Sequence, residues 1–476
     1  MQGELSMTSH EGGHVSLLES DLQALARGLA GGLLWPGHPD YDAARRVWNG
    51  LIDKHPGLIV RCANEADVAA AVSFARDHDI ELCVRGGGHN VAGRAVGDGA
   101  LVIDLSGMRG VKVDEEARTV TAEGGALLGD VDRATHPRGL AVPLGAVSET
   151  GVAGLTLHGG YGWLSRKHGL TIDNLVSARV VTARGEVLRA SARENADLFW
   201  AIRGGGGNFG VVTSFEFRLH PIAPEVWFAL VLYPLDRADV VMCRYRDFML
   251  QAPDDVMAIG LYWSAPPLPA IPAEMHGAPV LIVAAVCSGP PEDGERVIAP
   301  LRALDRPVAD LTSRVPFSDV QRAFDEDYPK GRLYYWKSAY LEQLPEDVIA
   351  TLTRYAGERP SPLSTVEVWT LGGAVARVPD TETAFSRRGS PFLFAVEANW
   401  DDPASTEENI AWARRACGDA QRFTSGAYLN FAGFGEEGEA LLRAAYGPNL
   451  DRLRAVKARY DPDNLFRGNF NVAPPA

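Results

Sequence analysis

The chain holds 476 residues, 46% hydrophobic and 22% charged, with a formal net charge of −15 and a pI of about 5.3. That length accommodates more than one domain with a full core, and the acidic balance argues against nucleic acid or an anionic membrane as partner. Cys62, Cys83, Cys243, Cys287 and Cys417 are scattered without CxxC or Cys/His ligand spacing, so neither a disulfide framework nor a metal site is expected. No run reaches the ~18 apolar residues of a membrane span. The opening residues lack the basic-then-apolar order of a secretory signal. The expectation is a cytoplasmic protein, monomer or homodimer, acting on a small molecule.

Residues 1–35 read as a loose tail and a helix over 17–29, and residues 41–49 lead to a strand over 57–61. Asn64 can cap the next helix, with Asp67 in its first turn and Val68, Ala71, Val72 and Ala75 on one face. A strand over 81–84 then runs into Arg85, Gly86, Gly87, Gly88, His89 and Asn90. Three successive glycines suit close backbone approach, and consecutive N–H groups in such a bend form a concave anion site beside Arg85. A plain surface turn with a chance histidine is the alternative for this segment alone.

Strands over 101–105 and 119–123 and a helix over 126–136 follow. Residues 144–165 mix glycine with apolar side chains, as expected of backbone lying under something large and flat. Asp173 and Asn174, an acid–amide pair, precede a hairpin over 177–190. A short helix over 197–202 leads into the third glycine cluster, 203–212, and then to a strand carrying Phe215 and Phe217.

Pro221 and Pro224 mark a boundary. Beyond it, strands over 226–233, 258–263, 279–287, 363–371 and 392–400 alternate with helices over 237–251, 294–304 and 407–417, the pattern of an antiparallel sheet covered by helices on one face. The predicted class is α+β. Its divisions are an N-terminal segment, 1–54, a first domain, 55–222, a second domain, 223–435, and a C-terminal segment, 436–476.

Several catalytic motifs are excluded. Gly205, Gly207 and Gly210 have GxGxxG spacing, but they follow a helix and open a strand, the reverse of a Rossmann turn. Residues 154–160 lack the lysine and hydroxyl of a P-loop, and neither HExxH nor GxSxG occurs. Three glycine clusters with an acid–amide pair instead suit a long, flat, phosphate-bearing ligand.

The segments VRGGGHN, LGAVSETGVAGLTLHGGYGWLSRKHGLTIDNL, ADLFWAIRGGGGNFGVVTSFEFRLHP and YDPDNLFRGNFNV, in that order, resemble the FAD-linked oxidases of the vanillyl-alcohol oxidase superfamily, with an FAD-binding domain of the PCMH type. The branch they resemble is that of berberine bridge enzyme and hydroxynicotine oxidase. The resemblance implies that His89 stands where the family histidine is bonded to the flavin 8α-methyl. Arg85, Gly86, Gly87, Gly88, Asn90 and Gly93 would line the pyrophosphate loop. Ser148, Thr150, Gly151 and Gly154 match the second flavin-contacting loop, which Gly160, Gly162 and Asn174 continue. Gly210 and Val212 fit the adenosine side, and Asn469 and Asn471 match residues that return to the ring.

Two positions depart from the pattern. Many relatives bind the flavin a second time through a cysteine where this chain has Val147, so a single histidyl link to FAD is expected. His158 replaces a commoner glycine, either facing the ring or filling space.

Tyr428 matches the tyrosine that takes the substrate hydroxyl proton in carbohydrate-oxidising relatives, the alternative being a core tyrosine with a satisfied hydroxyl. A phenol with a pKa near 10 needs a neighbouring cation or donor to act as a base at neutral pH, and Lys337 and Arg388 are the candidates. Tyr334, Tyr335, Trp336, Glu367 and Trp369 wall either the pocket or the core.

The implied function is a flavin-dependent oxidase. It would transfer a hydride from an alcohol or amine (a sugar, alkaloid or secondary-metabolite intermediate) to covalent FAD, with reoxidation by dioxygen and Thr150 beside the ring controlling oxygen access. A dehydrogenase of the same fold using another acceptor, or a flavin-binding protein without activity, are the alternatives.

Overall fold

The computed structural model describes residues 4–475. Its first sheet has the strand order Gly32–Leu34, Leu58–Arg61, Leu101–Asp104, Leu82–Arg85, and the last three strands are parallel. The helix Glu65–Asp77 covers it. Asn64 Oδ1 accepts the Asp67 N–H at 3.0 Å, while Val68, Ala71, Val72 and Ala75 are fully buried, as the periodicity predicts. The strand Leu82–Arg85 therefore ends against this packed layer and delivers the chain directly into the glycine loop. Residues 5–17 differ from the expected loose tail. Leu5–Thr8 and His14–Leu17 pair as a hairpin because Met7 and Leu17 drop into the core of the first sheet.

The second sheet is antiparallel, in the order Val187–Ser191, Leu175–Val181, Val211–Arg218, Thr119–Glu123, Val111–Asp114. Its core includes side chains of the helix Ala196–Ile202 and of the C-terminal helices Glu439–Tyr446 and Leu450–Tyr460. The chain end is thus part of the first half of the molecule.

The third sheet is larger and antiparallel. Its path runs Ala309–Asp310, Glu225–Pro234, Pro279–Cys287, Val256–Ser264, Thr365–Thr370, Phe392–Trp400, Leu333–Leu341. The helices Ala238–Met249, Pro291–Arg302, Glu346–Gly357 and Thr406–Ala420 cover one face. The other face packs Ile259, Leu261 and Trp369 against Tyr161, Trp163 and Ile172 of the cofactor half. The strand Leu333–Leu341 and the helix Glu346–Gly357 are absent from the predicted elements. Leu333, Tyr334, Tyr335 and Trp336 are all buried, so the strand shows little of the polar–apolar alternation that marks a half-exposed strand.

Two arginines tie the halves together. Arg388, 1% exposed, donates to both Asp173 oxygens at 2.7 and 2.9 Å. Arg166 donates to the carbonyls of Val256 at 2.7 Å and Ala252 at 2.9 Å, and also to that of Leu371.

The C-terminal segment is held by a fully buried pair. Lys457 Nζ donates to Asp461 at 2.6 Å and to the carbonyls of Asn208 and Phe466 at 2.8 and 3.0 Å. Asp461 in turn accepts the N–H groups of Leu465 and Phe466, each at 2.8 Å. Removing one member strands a charge without water, so Asp461→Ala is expected to destabilise the protein by about 3–5 kcal/mol. Equilibrium denaturation measures this directly, and a change under about 1 kcal/mol would show that the pair acts like a surface contact.

Candidate active site

The three glycine clusters and the inner face of the large sheet enclose one cavity of about 270 Å³. Gly86, Gly87, Gly88, His89 and Asn90 line it from the loop after Leu82–Arg85, and Thr150, Gly151 and Gly154 line it from the second loop. These loops touch. A Cβ on Gly87 would lie 2.5 Å from Gly151 Cα and 2.6 Å from its nitrogen, so no side chain fits at that crossing. Gly210, Val212 and Asn469 complete this part of the wall.

His89 is the pivot. Its ring stacks on Trp48, with centroids 4.1 Å apart, and Trp48 stacks on Tyr334 at 3.7 Å. Trp48 is held by its indole N–H on the Tyr328 carbonyl, 2.9 Å away, and Asn49 beside it donates to the Tyr334 carbonyl, also at 2.9 Å. His89 Nε2 is buried and has no partner. Burial lowers the imidazole pKa to about 4, leaving a neutral ring with an unused nitrogen on the cavity wall.

Other predicted residues stand one layer back. Arg85 reaches the Ala44 carbonyl, and its buried Nε makes no hydrogen bond, with Asp104 Oδ1 3.9 Å away. Gly93 backs onto Ile52, Gly160 onto Thr171 and Leu155, and Gly162 onto the backbone of residues 144–145. Ser148 N–H donates to Asp325 at 2.7 Å, bridging to the substrate half. Asn471 lies outside the cavity lining, though its Oδ1 is buried without a partner. Asn174 has a local role, donating to the carbonyls of His168 and Leu170 at 3.0 and 2.9 Å. Its predecessor Asp173 holds Arg388. Asp173 therefore secures the domain contact, Asn174 bonds only within its own half, and neither lines the cavity, a correction to the reading of the pair as a ligand contact.

Tyr428 lines the cavity, 3% exposed, and its hydroxyl accepts Asn430 Nδ2–H at 2.8 Å. Neither proposed cation reaches it. Lys337 shares a strand face with Tyr335, away from the cavity, and bonds Glu436 at 2.6 Å, while Arg388 is consumed by Asp173. Burial pushes the phenol up to about 12, against the opposing bonds from Asn430 and the Gly160 N–H.

The remaining wall is aromatic and acidic. Trp336, Trp369, Phe431 and Tyr161 line it, with Glu367 and Glu397 among them. Glu367 and Trp369 thus face the cavity. Alternation separates the neighbouring aromatics, with Trp336 on the cavity side and Tyr335 among the covering helices.

Sequence reasoning passed over Trp48, Arg94, Tyr161, Tyr328 and Glu397. Arg94, five residues beyond His89, was the legible one. It is the sole arginine or lysine among the lining residues, donates to the Asn469 carbonyl at 3.0 Å, lies over the Phe470 ring and pairs at 2.8 Å with Glu437, which is solvent-exposed. Cys83 also lines the cavity, where burial raises its thiol to about 12 and keeps it protonated. Val147 occupies the lining where a second attachment would need sulfur. His158 lines the cavity, with Nε2 buried without a partner and Nδ1 3.3 Å from the Gly154 carbonyl.

A close-packed glycine crossing, one lining arginine and a partnerless histidine nitrogen fit a phosphate-bearing cofactor joined to a flat ring, with an aromatic chamber for the reactant. These features define a flavin-dependent oxidoreductase. Residues 56–191 match the profile of an FAD binding domain, and residues 427–473 match the one described as berberine and berberine like. An FAD-linked oxidoreductase of Aspergillus terreus, pgmH, is 33% identical, covering 96% of this chain and 97% of its own. The (R)-6-hydroxynicotine oxidase of Paenarthrobacter nicotinovorans is 30% identical over 94% of this chain and 97% of its own. The crystal structure of 6-hydroxy-D-nicotine oxidase from Arthrobacter nicotinovorans superposes with a TM-score of 0.83 at 29% identity, covering 94% of this chain and 98% of that one. The chain belongs to the berberine-bridge-enzyme-like family of FAD-linked oxidoreductases.

Proposed function

We propose that this enzyme is an oxidase for a small alcohol or amine, with FAD attached through His89 alone. The observation that carries the attachment is the neutral, buried and partnerless Nε2 of His89 on the cavity wall. FAD held there would supply the hydride-accepting and oxygen-reducing chemistry of the net reaction R₂CH–OH + O₂ → R₂C=O + H₂O₂.

The chain's own residues do the rest. Backbone N–H groups of the glycine loop, with Arg94, neutralise the phosphates. The stacked rings of Trp48 and Tyr334 fix the plane of His89. Trp336, Trp369 and Phe431 exclude water from the chamber, and Asn430 positions the Tyr428 oxygen, which in its phenolate form takes the alcohol proton and becomes the phenol. Thr150, on the cavity wall from the second loop, governs the approach of dioxygen in this reading.

Anaerobic addition of a panel of alcohols and amines is expected to bleach the flavin band near about 450 nm with at least one compound. Air should then restore the band with release of peroxide. Bleaching that only an artificial dye reverses would identify a dehydrogenase, and a band unmoved by the whole panel would identify an inactive flavin-binding protein.

A further inference from the structure

Glu367 and Glu397 sit on the paired strands Thr365–Thr370 and Phe392–Trp400, are 4% and 2% exposed, and both line the cavity. The Tyr328 hydroxyl joins them, 2.8 Å from Glu397 Oε2 and 3.2 Å from Glu367 Oε1. Trp369 Nε1–H donates to the second Glu367 oxygen at 2.8 Å, and Thr365 lies 3.2 Å from the first. Among the described residues no arginine, lysine or histidine bonds either carboxylate; the charged or titratable neighbours are each other and the tyrosines. Burial raises both carboxyls above their ordinary range, and the charge of Glu367 raises Glu397 further.

A second observation points into the same space. The Tyr161 hydroxyl is buried without a partner on a side chain 6% exposed. Its ring lies 5.0 Å from those of Trp369 and Tyr428.

Two carboxyls bridged by one tyrosine hydroxyl repel each other when both are ionised, which favours a single negative charge shared by the pair. A buried charge without a counterion is costly, and a packed core would do better without it. The complement to a single negative charge among indole and phenol faces is a positive charge on an apolar body, since aromatic faces also attract cations. An ammonium supplies N–H donors for the carboxylate and leaves Tyr161 free to bond the same head group. A neutral alcohol would leave the charge unmatched.

We infer that Glu367 and Glu397 are the recognition site for an organic cation, a protonated amine on an apolar or aromatic body, and so select amines over alcohols. This rests on the reading of the cavity as the substrate chamber of a flavoenzyme. The pair also takes the ammonium proton: one N–H bond breaks, one carboxyl O–H bond forms, and the pair goes from one negative charge to none. The amine is left neutral with a free lone pair, the form whose adjacent C–H leaves as hydride.

The test is calorimetric titration of the flavin-loaded protein with phenethylammonium and N-methylphenethylammonium, matched against phenethyl alcohol and its methyl ether. Wild type is expected to bind the cations at least about tenfold more tightly than the neutral probes. Glu367→Gln and Glu397→Gln, which keep size and hydrogen bonding, should erase most of that preference while changing neutral-probe affinity less than about twofold. Equal affinity for cation and neutral probe in wild type overturns the inference, as does a preference that survives both substitutions or a folded, yellow wild type that binds none of the probes. If a variant fails to fold, the wild-type comparison alone decides. Wild type that carries no flavin counts against the cofactor reading, whereas yellow wild type without cation preference counts against the carboxylate pair alone.

Discussion

Wild-type protein precipitated in acid keeps essentially all of its flavin in the pellet, and His89→Ala protein releases it to the supernatant. The expectation follows from three features of one imidazole. It is neutral, because burial lowers its pKa to about 4. Its Nε2 has no bond to give up. Its ring cannot swing away, since Trp48 lies against one face and is itself stacked on Tyr334. A nucleophilic nitrogen held this way needs only a reactive carbon brought beside it. Val147 offers no second point of attachment, and Cys83, the one cysteine on the wall, is protonated. Fluorescence of the denatured pellet reads the result, and a colourless wild-type pellet from yellow native protein would remove the covalent link from the mechanism.

Tyr428→Phe is expected to lower kcat/KM for alcohols by about a hundredfold or more, within the range for loss of a proton-transfer partner. For amines the loss should stay below about tenfold, because their proton has another acceptor in the chamber. The phenol is pushed up to about 12 and stays protonated at neutral pH, with Asn430 and the Gly160 N–H as its donors and no cation in contact. The reactive phenolate fraction therefore grows with pH throughout the accessible range, and alcohol turnover should climb above neutrality instead of levelling near pH 7. Stopped-flow flavin reduction under anaerobic conditions separates this step from reoxidation. Equal, small losses for both substrate classes would reduce Tyr428 to a packing residue.

The cofactor half was legible because its constraints are local. A cap such as Asn64, the run Gly86 to Gly88 and the C-terminal segment beginning at Asp461 each carry their meaning within a few residues. The substrate half was less so, because its functional contacts join distant elements. Trp48 meets His89 and Tyr334, and Glu367 meets Glu397 through Tyr328. Nothing in the spacing of those residues brings them together. The cation assigned to Tyr428 failed for a related reason. Lys337 is on the wrong side of its strand, and the register that decides this is invisible where both faces are buried. Asp173 looked like a ligand contact beside a glycine-rich stretch, and only Arg388, far along the chain, reveals it as half of a domain clamp.

The knot of Lys457 and Asp461 reaches beyond stability to the shape of the chamber. Asn469, on the cavity wall, lies in the stretch 461–472 that this buried pair and the bond from Val472 N–H to Asn208 Oδ1 hold against the first half of the molecule. One wall of the chamber is therefore anchored by a contact outside it, and loosening that anchor would widen the cavity without altering any residue that lines it.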